Sequence, residues 1–183
     1  MKIIGKRIYL KVLTAEDDLT NYLRWMNDPD VVRFTERKGR NYVKKDLEIY
    51  IESMRNKKNY LFGIFMRKDG QHIGNIKLGN INSHHKRADI GIIIGKKDVW
   101  GHGFGYEAIE ILTDYAFKEL NLKTVYAGMY VNNIGSFKAF LKSGFSQMGV
   151  SKESIFFEGD FIDGIIVEKV NGDYKKLKGY CDR

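Results

Sequence analysis

The sequence of 183 residues contains a single cysteine, Cys181, and a single proline, Pro29. One cysteine excludes an intrachain disulfide framework and a cysteine cluster around a metal, which favours a reducing compartment such as the cytoplasm. Long apolar runs are also missing, and charged residues interrupt the first residues of the chain too early for a signal peptide. Because no linker-like segment rich in Ser or Pro divides the chain, we expect one cytoplasmic domain over residues 1–183, without membrane association.

Acidic residues are fewer than basic ones. The chain has 23 Asp and Glu against 31 Lys and Arg, a formal net charge of +8. Such an excess favours an anionic partner, for example a phosphate-bearing small molecule or nucleic acid. Proteins that bind single-stranded nucleic acid place exposed aromatic residues among basic ones, whereas the aromatic residues of the strands predicted here alternate with aliphatic ones, as in a core. We therefore expect no nucleic-acid partner.

Histidine is scarce as well. Only four are present, and two of them, His84 and His85, are adjacent in a polar turn where they cannot easily share one ligand geometry. We expect no metal site.

Hydrophobic periodicity predicts the order β-α-α-β-β-β-α-β-α-β-β. Alternation predicts strands around 8–12, 60–66, 73–78, 88–94 and 125–131, and a closing hairpin around Glu158 and Gly159. The helical period predicts helices around 19–26, 43–54, 108–116 and 137–141. Thr14 and Asp17 resemble a capping box before the first helix, and Gly144 fits a left-handed position after the last. The order predicts a single α/β domain with a mixed sheet.

A glycine-rich turn lies between a predicted strand and a predicted helix. It consists of Trp100, Gly101, His102, Gly103, Phe104, Gly105 and Tyr106. Glycines let successive backbone N–H groups converge, and a helix N-terminus adds partial positive charge, so the turn can hold a diphosphate, although a tight turn without a ligand explains it too. The pattern also fits the dinucleotide fingerprint, but no acidic residue follows in 122–131, which disfavours a Rossmann domain. The Gly-Lys-Ser/Thr end of a nucleoside-triphosphate loop is absent.

Several motifs occur together at characteristic positions. They are Asp89-Ile90-Gly91-Ile92-Ile93-Ile94, the loop 100–105 with Glu107-Ala108 behind it, Asn133-Ile134-Gly135-Ser136, and Lys142-Ser143-Gly144-Phe145. Over nearly the whole chain they closely resemble the GNAT acetyltransferases, most of all the branch with ribosomal-protein N-terminal, spermidine and nucleotide-aminosugar acetyltransferases. The resemblance implies a single GNAT-type domain that transfers an acetyl group from acetyl-CoA to a primary amine.

The resemblance also implies which residues hold acetyl-CoA. The backbone of Ile92, Ile93 and Ile94 would pair with the pantetheine arm, and the amides of 102–106 would hold the diphosphate. Asn133 would contact the pantetheine, while Ser136 and Phe140 would line the thioester. Four residues, Lys96, Lys97, Lys138 and Lys142, are eligible to bind the 3′-phosphate. Glu107 is expected to point away from the phosphates, as an acidic residue favoured in a first helical turn.

The chemistry requires a base for the amine and a proton donor for the CoA thiolate. Asp89 stands where relatives often place a carboxylate; the alternative is a salt-bridged aspartate. Many GNAT enzymes have a tyrosine as acid at the position of Phe140, and its absence leaves Ser136 or water. We consider Tyr106, Tyr126 and Tyr130 less suited as substitutes because tyrosines on such strands are mostly core residues.

The acceptor is the least constrained part of the hypothesis. Between residues 33 and 45, six basic residues accompany one acidic residue, Glu36. Because this segment suits phosphates, a nucleotide-linked aminosugar is favoured, with Trp25, Arg33 and Arg37 as acceptor-binding candidates. The alternatives are a protein N-terminus, a polyamine, or a non-catalytic module that binds CoA or a nucleotide. The sequence leaves a homodimer open.

Overall fold

A computed structural model describes residues 1–36 and 39–174. Its elements are β1 (Lys2–Ile4), β2 (Ile8–Val12), α1 (Thr20–Met26), α2 (Pro29–Val32), α3 (Lys44–Asn56), β3 (Tyr60–Met66), β4 (His72–Asn82), β5 (Arg87–Ile94), α4 (Phe104–Lys118), β6 (Thr124–Tyr130), α5 (Ile134–Lys142), β7 (Ser146–Phe157) and β8 (Asp160–Val170). In this part of the chain, none of the helices has the length and apolar composition needed to cross a bilayer.

The strands form one mixed sheet of eight, in the order β1-β2-β3-β4-β5-β6-β8-β7. All neighbouring strands are antiparallel except β5 and β6, which are parallel. The predicted α/β class and mixed sheet are confirmed. Two elements were not predicted, β1 and α2, because three and four residues are too few to produce a periodic pattern.

The parallel pair β5 and β6 separates soon after it forms. The two strands pair only where Arg87–Asp89 of β5 meets Thr124–Tyr126 of β6. From Ile90 to Ile94, β5 continues with its other edge paired to β4. The edge of β5 that faces β6 is therefore open over five residues.

Two apolar clusters cover the two faces of the sheet. The larger cluster packs α4 and α5 against alternate residues of the central strands, including Ile90. The smaller cluster packs α1 and α3 against the opposite face, where Ile93 contacts it. Because side chains alternate along a strand, Asp89, Gly91 and Ile93 share the face of α1 and α3.

The start of the first helix differs from the prediction. Thr14 and Asp17 do interact, with the Thr14 amide 2.8 Å from Asp17 Oδ2, but they close a turn. The helix begins later, at Thr20, whose amide donates to Asp18 at 3.0 Å. At the other end of the chain, Gly144 has φ +81° directly after α5 and its C-cap, which confirms the left-handed position.

Candidate functional site

The glycine-rich turn adopts a geometry suited to an anion. Gly101 and Gly103 have φ of +77° and +80°, in the left-handed region that glycine reaches without steric cost. Gly103 is the N-cap of α4, so the amides of Phe104, Gly105 and Tyr106 begin the helix and have no intrahelical acceptor. These amides and the positive end of the helix point toward one region, which suits a phosphate.

This turn lies against the end of β5. The Trp100 indole nitrogen donates a hydrogen bond to the carbonyl of Ile94 at 2.7 Å. A Cβ added at Gly105 would lie 3.6 Å from Ile94 and 3.9 Å from Ile92. The open edge of β5 and the amides of the turn are therefore neighbours.

An ion pair that the sequence did not predict, between Arg7 and Glu107, holds the glycine-rich turn against the β1–β2 turn. Glu107, in the first turn of α4, accepts hydrogen bonds from the backbone and side chain of Arg7 at 2.6 and 2.8 Å. The Arg7 guanidinium also donates to the carbonyl of His102 at 2.9 Å and lies 4.4 Å from the Phe104 ring. Burial acts to raise the pKa of Glu107, but the hydrogen bonds from Arg7 and Ile8 outweigh it and hold the pKa below its usual value. Glu107 thus faces the β1–β2 turn, away from the N-terminus of α4.

Replacing Glu107 with Gln is expected to lower the free energy of unfolding by about 1–3 kcal/mol at pH 7, because the buried network loses its negative charge and one of its two acceptor oxygens. The pKa of Glu107 is lower in the folded protein than in the unfolded one, where it is about 4.3, so the ionised carboxylate stabilises the fold. This stabilisation is complete above the unfolded pKa and disappears as the pH falls through the folded pKa. Urea unfolding across this pH range should show wild type and variant converging in acid. The control Glu119→Gln, at an exposed position, should stay within about 0.5 kcal/mol of wild type.

Where β5 and β6 separate, the structure contains a cavity of about 550 Å³. It lies beside the open edge of β5 and extends under α1, α3 and the hairpin of β7 and β8. Its lining includes Tyr22, Phe34, Glu36, Tyr50, Asn75, Lys77, Ile90, Gly91, Ile92, Ile93, Gly128, Tyr130, Asn133, Ser136, Phe140, Ser151, Ser154 and Gly164. The volume is sufficient for a small amine beside a thioester.

Three of the predicted acetyl-CoA residues meet on one wall of this cavity. Asn133 caps α5, its side-chain oxygen accepting from the Ser136 amide at 3.2 Å, which leaves its amide nitrogen available as a donor. Ser136 is half-buried and lines the cavity. Phe140 is 2% exposed and packs edge-to-face against Phe145 with ring centres 5.0 Å apart. The position of the usual tyrosine is therefore occupied by a buried hydrocarbon ring.

Asp89, the predicted base, lies in an ion pair. Its carboxylate is 2.9 Å from Lys77 Nζ, which corresponds to the alternative that the sequence left open. The Lys77 side chain lies across Gly91, where an added Cβ would come within 2.7 Å of Cε. Lys77 lines the cavity whereas Asp89 is not among its lining residues, and the Lys77 ammonium balances the charge of the Asp89 carboxylate.

Two of the acceptor-binding candidates, Trp25 and Arg33, lie within the described residues, and each has partners elsewhere in the fold. Trp25 is 2% exposed and packs against Gly95 and, with ring centres 4.8 Å apart, against His72, so it offers no surface to an acceptor. Arg33 is paired at 3.2 Å with Glu158 in the β7–β8 turn. Arg37 lies outside the described residues.

Two cavity residues that the sequence analysis did not select are hydrogen-bonded to each other. The Tyr130 hydroxyl, on β6, donates to Glu36 Oε1 at 3.1 Å. Burial, followed by the hydrogen bond to Glu36, raises the pKa of Tyr130 to about 12. Among the described residues of the lining, Glu36 is the one carboxylate and Lys77 the one cation. The sequence analysis named Tyr130 as a less suited substitute acid, and the one signal for Glu36 was that it is the single acid of the basic segment.

The four lysines proposed for the 3′-phosphate differ in their surroundings. Lys97 is bound to Asp28 at 2.9 Å and also pairs with Asp30, and Lys96 lies 3.3 Å from Asp98. Lys142, by contrast, lies 4.8 Å from the ring centre of Tyr106, next to the glycine-rich turn. Lys138 is exposed on the same helix. Lys142 therefore lies against the turn, and its role at the 3′-phosphate stays a prediction.

Comparison with known proteins identifies relatives of this arrangement. A family profile described as "Acetyltransferase (GNAT) domain" matches residues 7–146. A "Probable N-acetyltransferase YjcK" from Bacillus subtilis is 30% identical over 176 residues, which cover 92% of this chain and 97% of the relative.

Solved structures show the same fold. The ribosomal-protein-S5-alanine acetyltransferase from Vibrio fischeri superimposes with a TM-score of 0.83 at 18% identity, covering 96% of this chain and 100% of that one. A spermidine N-acetyltransferase from Vibrio cholerae, solved in complex with CoA and spermine, gives 0.81 at 24% identity, covering 92% and 98%.

Proposed function

The chain belongs to the GNAT acetyltransferase family, and we propose that its cavity is where an acetyl group passes from acetyl-CoA to a primary amine that carries one ammonium group and no phosphate. Members of this family are acetyl-CoA-dependent N-acetyltransferases.

The observation that carries the proposal is the open edge of β5, which leads from the cavity to the glycine-rich turn. Backbone groups of Ile92–Ile94 on that edge can hydrogen-bond an amide-containing chain as a neighbouring strand does. At the far end, the amides of 102–106 can hold a diphosphate. Pantetheine with its diphosphate has this sequence of groups, so the thioester would lie beside Ser136 and Asn133.

The charges of the cavity favour a cationic acceptor. Glu36 is the one carboxylate of the described lining and can attract an ammonium group. Lys77 is the one cation there and is already paired with Asp89, so it offers little to a phosphate. A polyamine would bring several ammonium groups to a single carboxylate and to a protein of charge +8, which disfavours it.

A nucleotide-linked aminosugar is the second candidate. It is favoured by the six basic residues between 33 and 45, a segment of which Arg37 and Lys38 lie outside the described residues. Arg33, in this segment, is exposed but paired with Glu158. Within the described cavity, the primary amine with one ammonium group and no phosphate therefore has better support than the aminosugar.

Thiol release from acetyl-CoA tests the proposal. The acceptors are a neutral tripeptide with a free N-terminus, spermidine and a nucleotide-linked aminosugar, with a reaction lacking amine as control. We expect the highest kcat/KM for the tripeptide. Release with the aminosugar alone would replace the first candidate by the second, and binding of acetyl-CoA without release for any amine would establish a non-catalytic module.

A further inference from the structure

Transfer of an acetyl group leaves the CoA sulfur as a thiolate that needs a proton. Phe140 cannot give one, because its ring carries no acidic hydrogen and is 2% exposed. The proton lost by the amine must also be taken up within the same cavity. A proton donor and a proton acceptor that are hydrogen-bonded to each other could protonate the thiolate and take up the amine proton.

Tyr130 and Glu36 are such a pair. Tyr130 lies on the same face of β6 as Gly128, two residues before it, and both line the cavity where β5 and β6 separate. The Tyr130 ring packs edge-to-face against Phe34 and Phe157, with centres 6.0 and 5.6 Å apart. This packing holds the phenol in place, and its hydroxyl is 3.1 Å from Glu36 Oε1.

We propose that Glu36 and Tyr130 form a proton relay from the acceptor amine to the sulfur of CoA, an inference that rests on the proposed function. The acceptor, bound as an ammonium ion, first releases one proton to solvent. The neutral amine then attacks the thioester carbonyl, and a C–N bond forms. Glu36 takes a proton from the nitrogen, which has become positively charged. As the C–S bond breaks, Tyr130 gives its proton to the sulfur and recovers one from Glu36. The products are the acetylated amine and CoA with a protonated thiol, and both residues return to their starting states.

The overall direction of this relay is favourable. A carboxylic acid is a stronger acid than a thiol by about four pKa units, so a proton passes downhill from Glu36 to the thiolate. Tyr130 connects the two without a free phenolate accumulating, because it receives one proton as it gives the other. A tyrosine that stays protonated at neutral pH is in the right state to begin.

Ser136 is the competing donor, since it lines the same cavity. Its backbone amide is bound to Asn133 at 3.2 Å. Glu36 is hydrogen-bonded instead to Tyr130, so the Tyr130 hydroxyl is the one to which the protonated Glu36 can pass its proton directly. This connection distinguishes the two candidates.

The test compares two acetyl donors whose leaving groups differ in their need for a proton. Acetyl-CoA releases an alkyl thiolate, whereas the acetyl thioester of a nitrobenzenethiol releases a thiolate that is stable without one. With acetyl-CoA, Tyr130→Phe should lower kcat about 100-fold with little change in KM for acetyl-CoA. With the activated thioester, Tyr130→Phe should act at nearly the wild-type rate. Glu36→Gln should slow both reactions, because the amine must lose its proton in each.

Tyr126→Phe is the matched control. Tyr126 lies four residues before Tyr130 on the same face of β6 and outside the cavity lining, so this substitution should leave both rates unchanged.

An equal loss of rate with both acetyl donors in Tyr130→Phe would show a structural role and overturn the relay. No loss with either donor would overturn it too, and Ser136→Ala would then identify the serine. Absence of thiol release from the wild-type protein with every amine would instead overturn the proposed function.

Discussion

Replacement of Gly128 by valine should nearly abolish acetyl transfer while leaving the fold intact. Gly128 lies on β6 at the wall of the cavity, and a Cβ added there would meet nothing within 4 Å. Valine suits a strand, so the variant should be as stable as wild type or slightly more stable. Its side chain, however, would occupy the space proposed for the acetyl group and the amine. We expect kcat/KM to fall about 100-fold or more, as misplacement of reacting groups by about 1 Å already costs this much.

The matched control is Gly149→Val. Gly149 also lies in a strand, β7, and a Cβ added there likewise meets nothing within 4 Å, but the residue does not line the cavity. This variant should keep wild-type activity and stability. Equal activity in the two variants would show that the reaction takes place elsewhere.

Replacement of Gly95 by alanine should destabilise the protein strongly. Gly95 follows β5 directly, and an added Cβ would lie 1.9 Å from the indole of Trp25, which is 2% exposed. Because the core cannot absorb this overlap without moving the ring or the strand, we expect a loss of about 3 kcal/mol in urea unfolding. Affinity for acetyl-CoA should fall as well, since the displaced backbone continues from Ile94.

Gly135→Ala is the control for this substitution. Gly135 lies in α5, where an added Cβ meets nothing within 4 Å, so alanine should raise the stability by about 0.5–1 kcal/mol. An unchanged unfolding midpoint in Gly95→Ala would contradict the packing of Trp25 under the end of β5. That packing also explains why Trp25 is a buried core residue.

Local patterns in the sequence were sufficient for much of the fold. The alternation of β5, the amphipathic pattern of α4 and the glycines between them each lie within one segment, and the structure has them in that order. The separation of β5 from β6 has no such pattern, because it depends on how far two strands distant in the chain remain paired. The cavity that results could not be predicted from either strand alone.

Contacts between distant residues explain what the sequence analysis missed in the site. Arg7 reaches Glu107 across 100 positions, and Glu36 reaches Tyr130 across 94. Each of these residues has an ordinary surface or core interpretation when considered by itself. Asp89 is a further example: its type and position suggested a base, and its ion pair with Lys77 on the neighbouring strand has no signal within β5 itself.

Hydrogen exchange followed by mass spectrometry, with and without saturating acetyl-CoA, tests the central claim most directly, namely that the open edge of β5 and the N-terminus of α4 together hold this substrate. We expect slower exchange in peptides covering 90–94 and 102–106, and no change in the β7–β8 hairpin around Glu158 and Gly159. Acetyl-CoA that left the exchange of both segments unchanged would contradict the account.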